Sequence, residues 1–256
     1  MEPALLTAVE DGVATLTIRN PAKRNAMTPD MWRQVPVALE RLAADPTVRV
    51  LVLTGEGGTF CAGADIAALR HGSQEPRGLA VAAEEALAAF PRPTLAVVRG
   101  HCVGGGCQLA VACDLRFAAE GALFGITPAR LGVVYAASST RRLVSLVGPA
   151  TAKYLLFSGE LIDTGRALRT GLVDEVHPAG ELDGRVAAFT RLLTARSQLT
   201  QAAAKEFADA RPDAPVAPER VAHWERQARE SDEAAEGAAA FLERRPPVFT
   251  WPLTDG

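Results

Sequence analysis

Hydrophobic and polar positions along the first half of the chain alternate between strand-like and helix-like segments. Residues 12–18 are rich in β-branched residues, which predicts a strand. Residues 48–54 are almost wholly apolar, a pattern typical of a strand in a sheet that is covered on both faces. Thr28 followed by Pro29 predicts a helix N-terminus, and we expect that helix to run to about Ala44.

The remaining pattern predicts strands in the first part of the chain and helices in the last part. A short helix is predicted near residues 65–70, a mobile surface loop over 71–78 and a helix over 79–90. Strands are predicted over 94–99, 115–118 and 173–176, and a short buried helix over 107–112. Further helical segments are predicted over 138–147, 149–157, 163–169, 181–195 and 216–243, with Ser138 and Ser139 as an N-cap pair. This order predicts an α/β core over residues 1–195 and a helical C-terminal region over residues 196–256.

Composition excludes several classes of protein. The 256 residues are 48% hydrophobic and 22% charged, so the chain can bury a full core without disulfides or metals. The net charge of -3 argues against nucleic acid or an anionic membrane as the main partner. The first residues lack the basic and apolar regions of a secretory signal, and no apolar run reaches about 18 residues, so we expect a cytoplasmic protein. The four cysteines show no metal-ligand spacing and are predicted to be buried free thiols.

Two loops carry the candidate chemistry, and each has the form strand, glycine-containing loop, short helix. The first is TFCAGADI at residues 59–66, and the second is GHCVGGGCQ at residues 100–108. Helix N-termini expose unpaired N–H groups, so two converging N-termini would form an oxyanion hole, although each loop alone also fits an ordinary tight turn. Neither loop has the glycine spacing of a dinucleotide or phosphate-binding motif, and no lysine follows the glycines.

These two loops resemble those of the crotonase (enoyl-CoA hydratase/isomerase) superfamily. The resemblance extends to NPAKRNAM at residues 20–27, to FGITPARLG and STRRL, and to EGAAAFLERRPP near the C-terminus, so that it covers about residues 5–250. It implies a ββα superhelix core and a C-terminal helical region that packs trimers, giving a homotrimer or a dimer of trimers. It also implies an acyl-CoA substrate, with coenzyme A as part of the substrate and no separate cofactor or metal.

The resemblance also implies roles for individual residues. The thioester oxygen would accept hydrogen bonds from the backbone N–H groups of Ala64 and Gly105. The contacts with coenzyme A would come from the segment 20–27, from the first loop and from the C-terminal region; the residues are Lys23, Arg24, Ala26, Ala62, Asp65, Ile66 and Arg244. Lys23 and Arg24 would lie near the phosphates, although a solvated face explains such basic residues equally well. Asp65 is also predicted to cap the helix that follows it.

The sequence departs from the hydratase pattern at both glutamate positions. Hydratases of this family carry one glutamate directly after the glycine loop, where this chain has Gln108, and another in the next loop, where it has Thr127 and Pro128. The acid found in the dienoyl isomerases is also missing from residues 136–139. Each lost acid or base typically costs about 10²–10⁴-fold in rate, so a glutamate-pair hydratase is not expected.

Residues 126–135 resemble the corresponding loop of methylmalonyl-CoA decarboxylases, in which a tyrosine orients the substrate carboxylate. The equivalent residue is Tyr135, although a packing role explains it equally well. Those enzymes also have a histidine in the first loop and an acid at position 108, and both are missing here. We expect an enzyme that forms a thioester enolate, with Ala64, Gly105, Tyr135 and Gln108 as candidate catalytic residues, and favour decarboxylation of a malonyl-type CoA. The alternatives are an enoyl-CoA hydratase or isomerase that uses other residues, and a non-catalytic acyl-CoA-binding protein.

Overall fold

A computed structural model of the chain describes residues 2–65, 75–210 and 214–252. The strands within these ranges are β1 (Ala4–Glu10), β2 (Val13–Arg19), β3 (Val50–Gly55), β4 (Thr94–Val98), β5 (His101–Val103), β6 (Leu115–Ala119), β7 (Leu123–Gly125), β8 (Ile162–Asp163) and β9 (Glu175–His177). The helices are α1 (Pro29–Ala44), α2 (Glu75–Ala88), α3 (Gly105–Ala112), α4 (Ala137–Ser158), α5 (Thr164–Arg169), α6 (Leu182–Thr194), α7 (Gln198–Asp209), α8 (Pro218–Glu230) and α9 (Glu233–Glu243).

A six-stranded sheet in the order β1-β2-β3-β4-β6-β9 forms the centre of the molecule. β1 and β2 are antiparallel and every other neighbouring pair is parallel, with Leu51 opposite Thr94 and Leu95 opposite Leu115. Both faces are covered, because Leu51 belongs to the main core whereas Val52 packs in a second cluster with residues of α6. Burial of both faces explains why residues 48–54 are almost wholly apolar, as predicted for a strand that is covered on both sides.

A smaller sheet in the order β5-β7-β8 lies beside the second glycine loop. β5 and β7 are parallel, with His101 opposite Leu123, and all three strands are shorter than four residues. These strands were not predicted, because two or three residues are too few to show a period. Their effect is to fix the backbone directly before α3 begins.

The N-terminus of α1 lies where the sequence predicts it, whereas α2 begins earlier than predicted. The Thr28 hydroxyl accepts a hydrogen bond from Met31 N over 3.2 Å and Pro29 is the first residue of α1, which confirms the predicted N-terminus. Residues 75–78 are helical, so the loop predicted over residues 71–78 is wrong at its C-terminal end. Pro76 is compatible with the first turn of α2, where backbone N–H groups have no intrahelical acceptor. The short helix predicted over 65–70 lies almost entirely outside the described residues.

The C-terminal region is helical, as predicted, and has a small core of its own. Leu199 and Ala202 of α7 pack against Trp224 of α8. α7 was not predicted, and the single segment predicted over 216–243 is two helices that separate at Ser231, whose backbone is extended. The domain boundary after residue 195 stays a prediction. Among the described residues, no helix has the length and the apolar character that a membrane crossing needs.

Candidate functional site

The first loop is held against the chain segment that leads into the second loop. Phe60 N donates to Arg99 O over 2.7 Å and Cys61 N donates to His101 O over 2.9 Å. Val103 N donates back to Cys61 O over 3.0 Å. The two predicted loops are therefore adjacent, and their relative position is fixed by backbone hydrogen bonds that do not depend on side-chain identity.

Ala64 is placed so that its N–H group is directed away from the strand it pairs with. Met27 N donates to Gly63 O over 2.8 Å and Asp65 N donates to Met27 O over 2.9 Å, so Ala64 is the residue between two parallel-type hydrogen bonds. The middle residue of such a pair directs its own N–H to the opposite side. The backbone bonds of the described residues give this N–H no acceptor, which leaves it available to a ligand.

The second donor is the N–H group of Gly105, the first residue of α3. Gly104 precedes it with a φ of +54°, a conformation that favours glycine. A Cβ atom on Gly105 would lie 2.8 Å from Cζ2 of Trp32, so only glycine fits there without a shift of the ring. The same Cβ position is 3.6 Å from Ala64 N. Two N–H groups from separate segments thus border one small space, an arrangement that can hold a single negatively charged oxygen.

Gln108 lies one turn after Gly105 and belongs to a buried group that we call the Glu84 cluster (Glu84, Gln108, Ser139 and Arg142). Gln108 Nε2 donates to Glu84 Oε2 over 2.6 Å and to Ser139 Oγ over 3.1 Å. The Ser139 hydroxyl donates to the same carboxylate oxygen, and Arg142 Nη1 donates to the other one. The Glu84 carboxylate is therefore bonded to three donors and is 0% exposed.

The Glu84 cluster was not predicted, and it corrects one prediction. Ser138 and Ser139 are not N-cap residues: the N-cap position of α4 is Ala136, and Ser139 is buried in the first turn of the helix, where its hydroxyl meets Glu84. A signal for Glu84 does exist in the sequence. It lies in the same helical stripe as Ala80, Ala83 and Leu87, and an acid within an apolar stripe indicates a buried partner.

The position of the second hydratase glutamate lies next to the glycine loop and holds no carboxyl group. Thr127 precedes a 3₁₀ turn over Pro128–Arg130. The Thr127 hydroxyl lies 3.7 Å from where a Cβ on Gly104 would stand. This segment therefore lies beside the glycine loop, and residues 127 and 128 bring a hydroxyl group and a proline ring to it.

Tyr135 is half-buried and packs against the main core. Burial raises the pKa of its phenol well above the usual value, and the neighbouring Cys107 and Glu84 raise this pKa further. Arg142 acts in the opposite direction. Tyr135 is thus a neutral hydrogen-bond donor at neutral pH, and it stands close enough to the Glu84 cluster to interact with it electrostatically.

The predicted coenzyme A contacts of the first loop meet the segment 20–27. Ala62 N donates to Arg24 O over 3.0 Å, and Lys23 Nζ lies 2.6 Å from Asp65 Oδ2. The Lys23 side chain is about half exposed, so it remains accessible to a phosphate. Ile66 lies outside the described residues, and so does the helix that Asp65 was predicted to cap.

Two asparagines that the sequence analysis did not single out shape the segment 20–27. Asn20 Nδ2 donates to Ala26 O over 2.7 Å, and Asn25 Nδ2 donates to Glu56 O over 2.9 Å. Both asparagines are buried, and Arg24 and Asn25 have positive φ angles, so these bonds hold an unusual backbone path. Arg244 is exposed at the C-terminal end of α9, on a separate element from this segment. Its predicted contact with coenzyme A stays a prediction.

The cysteines are packing residues, as predicted. All four are free and buried. Burial raises the pKa of Cys61 and of Cys113 to about 12, so these thiols stay protonated and are poor nucleophiles. Over the described ranges no group of three or more histidine, cysteine or acidic residues is arranged to hold a metal ion.

Comparisons with known proteins find similar sequences and similar structures over nearly the whole chain. A sequence model of the family described as enoyl-CoA hydratase/isomerase matches residues 8–252. The chain is 34% identical over 249 residues to a crotonyl-CoA hydratase of Syntrophomonas wolfei, covering 94% of this chain and 95% of that protein. A crystal structure of an enoyl-CoA hydratase/isomerase family member is similar with a TM-score of 0.93 and 37% identity, covering 99% of this chain and 100% of that one. An enoyl-CoA hydratase/carnithine racemase from Magnetospirillum magneticum gives 0.90 and 32%, with coverages of 98% and 96%.

Proposed function

The chain belongs to the enoyl-CoA hydratase/isomerase family, and from this premise we propose that it holds the thioester oxygen of an acyl-CoA between the N–H groups of Ala64 and Gly105. The family and the α/β fold expected from the sequence are thereby confirmed. The single observation that carries the proposal is the close approach of the two loops: a Cβ on Gly63 would lie 3.4 Å from Gly105 N, and a Cβ on Gly105 would lie 3.6 Å from Ala64 N. Fixed donors of this kind stabilise the enolate oxygen that forms during the reaction.

The reaction that fits the surrounding side chains best is decarboxylation of a malonyl-type CoA. Neither Gln108 nor the Thr127–Pro128 position offers a carboxylate to act as acid or base. Glu84 is 0% exposed, so it lacks the access to the substrate that a general base needs. Decarboxylation requires no base: the electrons of the breaking C–C bond move to the thioester oxygen, and CO₂ leaves.

Tyr135 supplies the orientation that this reaction needs. The scissile bond must stand perpendicular to the plane of the thioester, and a neutral phenol can hold the carboxylate there by a charge-assisted hydrogen bond. Such a bond contributes about 1.5–3 kcal/mol. The raised pKa of Tyr135 keeps its proton in place for this role.

A hydratase is the second candidate, because the relative at 34% identity is a crotonyl-CoA hydratase. In this chain such a reaction would use groups other than a glutamate pair. The third candidate, a non-catalytic acyl-CoA-binding protein, is distinguished by binding without turnover. A panel of malonyl-CoA, methylmalonyl-CoA and crotonyl-CoA therefore separates all three, with acetyl-CoA and NAD in calorimetry as binding controls.

The decisive measurement is CO₂ release from malonyl-CoA and methylmalonyl-CoA. Tyr135→Phe keeps the ring and removes the hydroxyl, and we expect a loss of roughly 10–100-fold, since about 1.4 kcal/mol is tenfold. Ala64→Pro removes one donor N–H, and we expect a loss of at least about 10²-fold. Ala64→Gly is the matched control, because it keeps the N–H group. If the wild-type protein releases no CO₂ from either substrate, decarboxylation of these substrates is excluded.

We also propose that the chain assembles as a trimer or a dimer of trimers. Phe241 and Leu242 at the end of α9 are 83% and 80% exposed, and large apolar side chains at this exposure fit a surface covered by a second copy. Light scattering on the purified protein tests the assembly. Replacing both residues by aspartate should lower the measured mass to that of a smaller species if α9 lies in the interface.

A further inference from the structure

We propose that Glu84 is a positioning residue that acts through Gln108. Its hydrogen bond turns the amide oxygen of Gln108 toward the acyl site, where that oxygen holds the water molecule that protonates the enolate at Cα. The inference rests on the proposed function, because the enolate is the species to be protonated. The inference gives the Glu84 cluster a role in protonating the enolate, a step that follows the loss of CO₂.

The donors and acceptors of the cluster permit only one orientation of the Gln108 amide. Gln108 Nε2 stands 2.6 Å from Glu84 Oε2, and a carbonyl oxygen at that distance would face an acceptor-only carboxylate. The Ser139 hydroxyl uses its hydrogen on the same carboxylate, so its oxygen is free to accept the second amide hydrogen over 3.1 Å. Both hydrogens of Nε2 are thus used inside the cluster. The oxygen Oε1 is the end of the amide that remains for a ligand.

Burial shows which member of the pair can reach the acyl site. Glu84 is 0% exposed, whereas Gln108 retains 6% exposure. Gln108 also lies three residues after Gly105 on α3, so the two residues share one face of the helix. An acceptor on this face stands near the oxygen-binding N–H group, while the negative charge of Glu84 remains behind it. Glu84 therefore has no direct access to the acyl site, and its hydrogen-bonded link to that site runs through Gln108.

The proton balance of the reaction requires such a water. Loss of CO₂ leaves an enolate whose Cα must gain one proton, and the described site offers no accessible carboxyl group to give it. A water that donates one hydrogen to Oε1 of Gln108 can give its other hydrogen to Cα. The hydroxide that is left combines with CO₂ to form bicarbonate, so atoms and charge balance. Because the water is held on one side of the enolate plane, the new C–H bond forms on one face.

The stereochemistry of the product tests this role. In D₂O, methylmalonyl-CoA should give propionyl-CoA with deuterium at C2 in a single configuration. Glu84→Gln removes the charge that selects the amide orientation, so the product should become a mixture of both configurations. Glu85→Gln is the matched control, because Glu85 also pairs with Arg142, over 3.2 Å, and no hydrogen bond links it to Gln108. It should keep the single configuration.

A second measurement needs no turnover. The chain has six glutamines, so the side-chain amide of Gln108 can be observed after selective ¹⁵N labelling and assigned by its loss in Gln108→Met. Its protons should exchange with solvent at least about tenfold more slowly than those of an exposed glutamine. This protection should be lost in Glu84→Gln and reduced in Ser139→Ala. Ser139→Ala keeps the ion pair between Glu84 and Arg142, so it provides the test if Glu84→Gln does not fold.

The two measurements keep the inference separate from the proposed reaction. Mixed configuration and lost protection in Glu84→Gln, with neither change in Glu85→Gln, would support the inference. A single configuration in Glu84→Gln, or a Gln108 amide in the wild type that exchanges as fast as an exposed one, would overturn it. Absence of CO₂ release from the wild type would count against the decarboxylation, while amide exchange would still decide whether Glu84 orients Gln108.

Discussion

The substitution Gln108→Glu places a second carboxyl group against the buried carboxylate of Glu84. In the wild type, Gln108 Nε2 donates to Glu84 Oε2 over 2.6 Å. The variant exchanges this donor for an acceptor of nearly the same size and adds a negative charge. We expect a loss of stability that depends on pH, since the two carboxyl groups can keep their contact only if one of them carries a proton.

The size of this loss can be bounded in two ways. Two like charges about 4 Å apart repel by about 4 kcal/mol at an effective dielectric constant of about 20. Alternatively, the folded protein takes up a proton that the unfolded chain, with a glutamate pKa of about 4.3, does not hold. At pH 7 this uptake costs at most about 2.7 × 1.36, or about 3.7 kcal/mol, and at pH 5 it costs about 1 kcal/mol. We therefore expect a loss of about 2–4 kcal/mol at pH 7 and about 1 kcal/mol at pH 5.

The sign of the pH dependence follows from the same linkage. The introduced carboxyl group has a higher pKa in the folded than in the unfolded state, so its penalty is small near the unfolded pKa. The penalty grows as the pH rises above that value, until the folded pKa is passed. Gln108→Met is the matched control, because it removes the hydrogen bond to the carboxylate and adds no titratable group. Its loss of about 1.5–3 kcal/mol should be similar at both pH values.

Urea unfolding at equal protein concentration and at pH 5 and pH 7 measures these quantities. The informative number is the change in the free energy of unfolding of each variant relative to wild type at the same pH. If Gln108→Glu were as stable as wild type, or its loss the same at both pH values, the two side chains could not be in the buried contact on which the Glu84 cluster depends.

The remaining predictions concern the reaction and the ligand. Gln108→Glu should not confer rapid hydration of crotonyl-CoA in a spectrophotometric assay, because Pro128 leaves the second acid position empty; rapid hydration by the unmodified protein would show that other residues supply both acid and base. The decarboxylation rate should stay level from pH 7 to about pH 10, because the raised pKa of Tyr135 keeps the phenol protonated, and a fall centred on the ordinary pKa would contradict the burial of this residue. Lys23→Met should raise KM for acyl-CoA several-fold at unchanged kcat if Lys23 meets a phosphate, with Arg33→Met, on the exposed face of α1, as a control.

The parts of the site that could be predicted from the sequence are those made of backbone. The glycines at residues 104–106 and Gly63 indicate close approach of chain segments, and the structure shows that approach at Gly105, where a Cβ would meet the Trp32 ring at 2.8 Å. Long elements such as α1 were also predicted to within a residue, because a cap, a first-turn proline and a sustained period agree. The short strands β5, β7 and β8 carry no such redundancy and were missed, as was β1, whereas the three-residue β9 overlaps the strand predicted over 173–176.

The side-chain part of the site could not be predicted in the same way. Glu84 lies 55 residues before Ser139 and 58 residues before Arg142, on a different helix, and no local pattern brings them together. Ser139 resembled a cap because serine near a predicted helix start usually is one. Only tertiary packing of α2 against α3 and α4 makes its hydroxyl a partner of a buried carboxylate. The one available signal was the acid in the apolar stripe of α2.

This division between backbone and side chains explains how one fold can carry different reactions. The N–H groups of Ala64 and Gly105, which we propose bind the thioester oxygen, are positioned by the path of the backbone, so they do not depend on the identity of the side chains around them. The position of a charged group near the acyl group, by contrast, depends on which helix carries the charged side chain. Here a carboxylate stands on α2, behind the amide of Gln108, whereas the hydratase pattern places one directly on α3. In the proposed reaction the backbone donors would still stabilise an enolate while no accessible base is present, and that combination is the reason we favour a first step that loses CO₂ rather than a proton.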